Sequence, residues 1–486
     1  MTVMTDDLGV EISKRSLAEM APRMKILSSL MPKYVRSLED WQAKAREYGA
    51  RYVRPRALDI DGRCSRDARY FDWDLIRRST PYGFLSMLVP RGAGGGGQLS
   101  TAMALVMEEL CAVCPGVANI FGANGLGVSG ILLGMDFYHF DRALADLARG
   151  DRNGQPVIFA AAITEPDAGT DEEDREYLKE ARLSTEAKPT TGGYLLNGKK
   201  VFISNGSVAQ YTSVIAPFDK TRPAETQSAF LVRKGDAGFS VGRVEEKMGM
   251  KACPAAELVF EDCFVPRRNL IGREGEGVRF TEIVLGASRG PVGAIATGTA
   301  RGAFERIVDF AKNKKVGGRR LIEHQWVQIK LADMARKIHL ARQAYLDSCM
   351  TFDFLGIPKL MKRPSSRLLL DVVPRSLRLT SFFEKAIRSE RTSRAVLEQL
   401  NKHVDPNDLR LIQQYSSVAK VSGSDVAMEV AYEALQIAGL EASLHRFELE
   451  KIYRDAKLTQ IYEGTNQLNR HNIFINTFPE ERDREF

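Results

Sequence analysis

Close to the C-terminus, Tyr462-Glu463-Gly464-Thr465 sets one carboxylate between an aromatic ring and a glycine. The stretch before it carries Leu449, Ile452, Ala456 and Leu458 at helical spacing, and Gly464 marks where that helix should stop. A carboxylate so placed is either solvated or pushed into a site. Taken alone, the Glu-Gly pair reads as solvated, since Glu is almost never buried without a purpose. Held beside an apolar pocket instead, it would have a pKa raised toward neutrality and would serve as a general base.

Two other patterns invite a chemical reading and do not sustain it. Cys111 and Cys114 form a CxxC, but no second pair or nearby His completes a metal site. Both lie in the apolar run "ALVMEELCAVCPG" and read as buried thiols, so no metal is expected. The run "PRGAGGGGQLS" at 90–100 lacks the Lys-Ser/Thr that grips phosphate and reads as a flexible surface loop.

The elements that must position Glu463 fall into three zones. Residues 1–155 read helical, with "LEDWQAKAREYGARYV" and "STAMALVMEELCAV" at helical periodicity. "GVANIFGANGLGVSGILLG" reads as a buried helix whose small residues let a neighbour approach closely. Residues 156–275 break into short β-rich runs cut by Gly, Asn, Asp and Pro, and Asn197-Gly198 reads as a hairpin turn. Residues 276–486 return to long amphipathic helices. The fold class is therefore mostly α with a central all-β domain.

The chain has 486 residues and ordinary globular composition, 44% hydrophobic and 27% charged. No apolar run approaches a membrane span. The N-terminus carries Asp6, Asp7 and Glu11 and no apolar core, so a cytoplasmic protein is expected. The net charge of +7 is matched by one segment, 356–402, with 11 Lys or Arg against 4 Asp or Glu. Its Leu377, Leu379, Phe382, Phe383, Ile387, Val396 and Leu397 alternate with cations. That basic amphipathic pattern suits docking on the inner membrane surface or on a partner, or packing on the chain's own helices.

Four motifs, "AAITEPDAGTD" (161–171), "LNGKKVFISNG" (196–206), "KMGMKACPAAELVFEDCFVP" (247–266) and "IYEGTNQLNR" (461–470), occur in this order, with "RDAK" before the last. With the α–β–α layout they closely resemble the acyl-CoA dehydrogenase superfamily. The resemblance implies an N-terminal helical domain, a β-barrel-like middle domain and a C-terminal four-helix bundle. Here the bundle carries an insertion at about 356–410, where relatives have a short turn. It also implies FAD, an acyl-CoA substrate, an electron-transfer flavoprotein or similar acceptor, and a homodimer or homotetramer.

Residue by residue, the resemblance makes Glu463 the catalytic base that removes the α-proton of the thioester. Ala161, Ile163, Thr164, Gly169 and Thr170 match flavin-contacting positions, and Thr170 also meets the CoA ester. Phe202, Ile203 and Ser204 stand where relatives usually have Trp-Ile-Thr, a ring wall and a donor for the flavin. Thr465 and Gln467 match further flavin contacts. Gly122, Ser288, Arg289, Tyr462 and Gly464 match substrate-side positions. One branch of the family carries its base just before Arg289; Gly286-Ala287-Ser288 holds no carboxylate, so Glu463 has no rival there. Lys314 and Gln436 match the pyrophosphate and adenosine side, but Lys314-Lys315-Val316-Gly317-Gly318 and Ala438-Gly439-Leu440-Glu441-Ala442 depart from the usual pattern.

Gly122, Ala123 and Gly125 predict a roomy, uncharged pocket for a long, branched or cyclic acyl chain, with simple helix packing as the plainer reading. Ala118 stands where glutaryl-specific members carry a gripping Arg, which predicts rejection of thioesters with a distal carboxylate. Two further classes use the same scaffold: a desulfinase- or monooxygenase-like acyl-CoA flavoenzyme, and a non-enzymatic relative that binds nucleic acid. The intact Tyr-Glu-Gly weighs against both, and no nucleic acid is expected.

Overall fold

The structure, a computed structural model, describes residues 17–134, 136–169, 172, 175–356, 358, 380 and 405–479. Apart from Gly356, Pro358 and Thr380, the basic segment 356–402 read as a docking arm lies outside the described residues. Three helices matter in the first zone: α1 (Pro32–Tyr48), α2 (Ser100–Val113) and α3 (Pro115–Leu133). Eight strands follow: β1 (Phe159–Ala162), β2 (Glu186–Thr190), β3 (Gly193–Ser204), β4 (Tyr211–Pro217), β5 (Gln227–Arg233), β6 (Phe239–Val244), β7 (Ala255–Pro266) and β8 (Leu270–Ile271). Then come α4 (Gly277–Asn313), α5 (Gln325–Leu355), α6 (Pro406–Ala438), α7 (Leu449–Leu458) and α8 (Asn466–Thr477).

The strands form two four-stranded sheets, ordered β1-β4-β5-β8 and β2-β3-β7-β6. β1 pairs with β4 in parallel, Phe159 opposite Tyr211; the other pairings are antiparallel. Asn197-Gly198 is not the hairpin turn expected. It sits inside β3 at a register shift against β7, where the Asn197 amide exchanges hydrogen bonds with Asp262. The turn between β2 and β3 falls at Thr191-Gly192, with Gly192 at φ 81°. Asn-Gly suits any left-handed site, and a bulge is one as much as a turn.

α4 is the central helix. It packs on α6, α2 and α5, and glycines let the backbones meet. A Cβ on Gly298 would stand 2.4 Å from the Glu108 oxygen, and one on Gly293 2.6 Å from the Ala419 oxygen. Behind the α2–α4–α5 contact lies a buried charge network. Glu108 accepts from Arg342 (2.6 Å), from Arg301 (3.1 Å) and from the Tyr345 hydroxyl. Glu109 accepts from Arg301 (2.6 Å), Gln42 (2.7 Å) and Arg46 (3.0 Å). Burial alone would push the Glu108 carboxyl up, but Arg342 and Arg301 hold it down, at about 2.

α3 lies against β1, α2 and α4 and is almost wholly buried, each Ile or Phe such as Ile120 and Phe121 contributing about 1.5–3 kcal/mol. The expectation about apolar runs is amended here: Pro115–Leu133 is long and apolar enough to cross a membrane, yet 78% of that stretch is buried inside the fold. Cys111 and Cys114 are buried thiols, and Cys114 accepts from the buried Lys451.

Candidate active site

A cavity of about 660 Å³ opens where the two sheets, α3, α4 and the Tyr462–Glu463 turn converge. One wall is β. β1 runs out into Ile163 and Thr164, and the Val201 amide holds the Thr164 carbonyl at 2.9 Å. That corner is fixed from behind by Lys200, fully buried, whose ammonium meets Glu165 (2.8 Å), Glu172 (3.3 Å) and the Ile163 carbonyl. β3 slips register against β7 between Lys200 and Ile203. Within that slip Phe202 takes φ 59° and turns its ring, 60% exposed, onto the cavity wall. A left-handed bulky residue costs about 1–3 kcal/mol and persists only where neighbours over-determine it. Asn205 supplies the restraint, its amide donating to the Ile120 carbonyl at 2.9 Å.

The opposite wall is helical. Pro291 interrupts the hydrogen-bond ladder of α4 and frees the Ala287 carbonyl, which accepts weakly from the Ser100 hydroxyl at 3.5 Å. Asp353 of α5 caps the start of α2 through the amides of Ser100 (2.8 Å) and Thr101 (3.0 Å). These contacts seat the N-terminus of α2 at the cavity, beside Met103, Met107, Val292 and Ile295.

Glu463 sits in the turn after α7, at φ 57°. Its carboxylate accepts from the Ser288 hydroxyl at 2.8 Å, and the surface it retains is on the cavity wall. Its carbonyl accepts from Arg289 Nε (3.4 Å) and Asn469 Nδ2 (3.3 Å). Asn469 also holds the carbonyls of Gly464 and Thr465, each at 3.0 Å, so one amide staples the whole turn. Burial raises the Glu463 pKa above the ordinary carboxyl value; the Ser288 hydrogen bond, Arg289 and Lys420 pull it partly back. The result is a carboxylate with raised affinity for a proton, facing an apolar cavity, which is what a general base requires.

Of the residues expected at the site, the cavity wall gathers Glu463, Tyr462, Ser288, Gly122, Ala161, Ile163, Thr164, Gly169, Phe202, Ile203 and Ser204. Gly464 and Arg289 are buried just behind Glu463. Four stand off the wall. Lys314 ends α4 in an ion pair with Glu441, Gln436 and Gln467 are exposed, and Thr465 caps α8, accepting from the Leu468 amide at 3.2 Å. Thr170 lies outside the described residues.

Three expectations are corrected here. The glycine run is no free surface loop: Pro90, Arg91, Gly97, Gln98 and Leu99 line the cavity. It is laced back by amide bonds from Gly96 to Ser86, Gly97 to Val89 and Gln98 to Met87. A Cβ on Gly95 would stand 2.4 Å from that of Val89, so the glycines serve close packing. The pocket is not uncharged, since Arg91 is on its exposed rim. Ala118 is fully buried in the core and off the wall, so its lack of charge says nothing about a distal carboxylate. Gly122 does line the cavity, a Cβ there standing 3.3 Å from Ile295 Cδ1. The sequence reading missed Asn119, Met103, Met107, Pro291 and Ile295; a proline inside an apolar helix was the available signal for one of them.

An isoalloxazine ring fits what the β wall leaves open. Phe202 offers an uncovered aromatic face, the Thr164 hydroxyl lies on the same wall, and the Ser204 hydroxyl there has the Cys253 thiol as its protein partner. The fold and these residues place the chain among known proteins. The acyl-CoA dehydrogenase N-terminal, middle and C-terminal domain families match residues 36–151, 160–263, and 275–361 with 383–476.

The chain belongs to the acyl-CoA dehydrogenase family.

Members of this family are FAD-dependent oxidoreductases. The chain is 31% identical over 432 residues to a probable acyl-CoA dehydrogenase, FadE25, of Mycobacterium tuberculosis, covering 89% of this chain and 93% of that one. It is 32% identical over 429 residues to cyclohex-1-ene-1-carbonyl-CoA dehydrogenase of Syntrophus aciditrophicus, covering 87% and 86%. Butyryl-CoA dehydrogenase from Megasphaera elsdenii superposes with a TM-score of 0.68 at 26% identity, over 90% of this chain and 97% of that one. The C-terminal family match breaks between 361 and 383, a narrower interruption than the insertion expected at 356–410.

Proposed function

We propose that this enzyme dehydrogenates an acyl-CoA thioester between its α and β carbons, giving the 2-enoyl-CoA. The observation that carries the reading is Glu463, a carboxylate of raised pKa facing the same cavity as the flavin-fitting wall. The Glu463 carboxylate takes the Cα proton. Bound FAD supplies the acceptor for the hydride that leaves Cβ. The electron pair of the broken Cα–H bond becomes the new double bond. The main-chain N–H of the turn holds the thioester carbonyl, stabilising negative charge as the proton leaves. Ser288 orients the carboxylate from 2.8 Å, and Phe202 backs the ring. The apolar wall from Met103 to Ile295 excludes water, which keeps the pKa of Glu463 high.

Ala161, Ile163, Gly169, Thr164 and Ser204 serve the flavin in this reading, and Thr170 serves both flavin and thioester. Thr465 and Gln467 serve the flavin as well, and Lys314 and Gln436 serve the ADP end of FAD across an interface between copies. Electrons pass on to an electron-transfer flavoprotein-like acceptor. The test is a panel of acyl-CoA thioesters with an artificial electron acceptor, scored for enoyl product. Turnover with at least one neutral acyl-CoA is expected. A flavoprotein that binds thioesters and turns over none would overturn the reading.

A further inference from the structure

Two groups that carry a formal charge line the cavity among the described residues, Glu463 and Arg91. Glu463 has Ser288 as its partner. The wall between the two charges can be followed residue by residue. Ser288 follows Ala287, whose carbonyl accepts from the Ser100 hydroxyl at 3.5 Å. From Ser100 the chain runs back through Leu99 and Gln98 to Gly97, and every one of these residues lines the cavity. The Arg91 side chain lies on Gly97: a Cβ there would stand 2.8 Å from Arg91 Cγ and 3.4 Å from its Nε. Gly97, at φ 60°, therefore cradles the cation. The space above the base is continuous with the space beside a guanidinium.

That guanidinium has no partner in the protein. Arg91 is exposed at the rim, and among the described residues it forms no ion pair and no side-chain hydrogen bond. A second cation stands on the same loop, where Arg152 donates to the Gly94 carbonyl at 2.8 Å, and it forms no ion pair either. The rim is thus positive and lacks a counter-charge. The Tyr462 hydroxyl also has no hydrogen-bond partner, but protein covers it beside Cys111 and Cys253, and burial keeps it uncharged. The loop that presents Arg91 is fixed in advance by the amide bonds of Gly96 (3.1 Å), Gly97 (2.8 Å) and Gln98 (2.8 Å), so little ordering cost falls on a ligand.

The end of the substrate that meets Arg91 follows from what holds the loop. In the dehydrogenase reading the thioester lies between Glu463 and the β wall. The glycine loop is held by Met87, Val89, Trp41 and Arg152, and none of these is on that wall. The acyl chain, not the thioester, therefore points to the rim. A methyl group ending there gains little, because the rim is wet. A carboxylate ending there keeps its water and gains a planar fork of donors that matches its two oxygens.

We infer that the acyl group ends in a carboxylate, that its chain is long enough to run from Glu463 to the cavity rim, and that Arg91 selects it. The inference rests on the dehydrogenase reading for the placement of the thioester, and it names the substrate class within it: the mono-CoA thioester of an α,ω-dicarboxylic acid.

The test runs adipoyl-, suberoyl-, dodecanedioyl- and hexadecanedioyl-CoA beside the alkyl thioesters of the same chain lengths on the FAD-loaded enzyme. Two quantities are read: kcat/KM with an artificial acceptor, and Kd from perturbation of the oxidised flavin spectrum. At one chain length or more the carboxylated thioester should be preferred. Arg91→Gln should cut that preference about 3- to 5-fold at low salt, the scale of an exposed ion pair. Raised ionic strength should weaken the preference in the wild type, and Arg91→Lys should keep part of it. A wild type that prefers the alkyl thioester at every length overturns the inference. So does Arg91→Gln with the preference unchanged, or with equal losses on both series, since the guanidinium would then serve CoA or the fold. An Arg91-dependent preference in Kd without turnover of any thioester sinks the dehydrogenase reading and leaves the Arg91 assignment standing.

Discussion

At the scale of the residue, the site turns on how tightly Glu463 holds a proton. Ser288 donates to the carboxylate and so favours its ionised form. Removing that donor raises the Glu463 pKa further. Ser288→Ala should therefore shift the rise of the flavin-reduction rate to higher pH, with the loss greatest on the acid side; a shift toward lower pH would contradict the assignment. The same raised pKa has a sign in stability. A carboxyl whose folded pKa exceeds its unfolded value favours the fold at low pH, and the advantage is lost as the pH rises through the folded pKa. Glu463→Gln should thus raise Tm at alkaline pH relative to the wild type and not at about pH 4. Glu463, Ser288 and the Phe202–Ser204 run were legible because each lies in a short motif. Asn119 and Arg91 were not, because nothing local to them says that they line the same cavity as Glu463.

At the scale of the element, the long helices were readable and the joints between them were not. Period 3.6, Pro115 between α2 and α3 and Gly134 after α3 delimit the two closely, whereas the bulge at Asn197-Gly198 and the packed glycine loop depend on β7 and Val89, which a local pattern does not show. The same holds for the charges that lock α2 to α4 and α5. "MEEL" reads as one polar face of a helix, but Glu108 and Glu109 are buried because Arg301 and Arg342 arrive from elsewhere in the chain. Glu108→Gln should cost about 3–5 kcal/mol in denaturant unfolding at neutral pH, because it leaves buried guanidinium charge uncompensated. The folded pKa of about 2 is below the ordinary value, so this stabilisation is present above the unfolded pKa and fades as the pH falls toward 2. An equal loss at pH 7 and about pH 2 would show that shape, not charge, is responsible. On α3, Gly122→Leu should fill the space beside Ile295 and lower kcat/KM for long thioesters more than for short ones. Uniform loss across chain lengths would place Gly122 in helix packing alone.

At the scale of the whole molecule, the α–β–α order was readable because hydrophobic periodicity changes twice along the chain. In the proposed function the ADP end of FAD is enclosed across an interface between copies. Gln436 and Gln467 are exposed, and Lys314 pairs with Glu441 at the surface. Nearby, α5 presents Trp326 (49% exposed), Ile329 (64%) and Leu340 (55%) to solvent, a stripe of large apolar side chains that a second copy would cover. Light scattering should give a dimer or tetramer. Ile329→Glu should yield smaller species that lose FAD on gel filtration, and a monomer that keeps its flavin would show that the cofactor is held within one chain.

The central claim is that Glu463 is the base of an acyl-CoA dehydrogenation. The most direct measurement is anaerobic rapid mixing of the FAD-loaded protein with acyl-CoA, followed by flavin absorbance. The wild type should bleach, and Glu463→Gln should bind the same thioester while bleaching about 10²- to 10⁴-fold more slowly. Bleaching of the variant at near the wild-type rate would contradict the account.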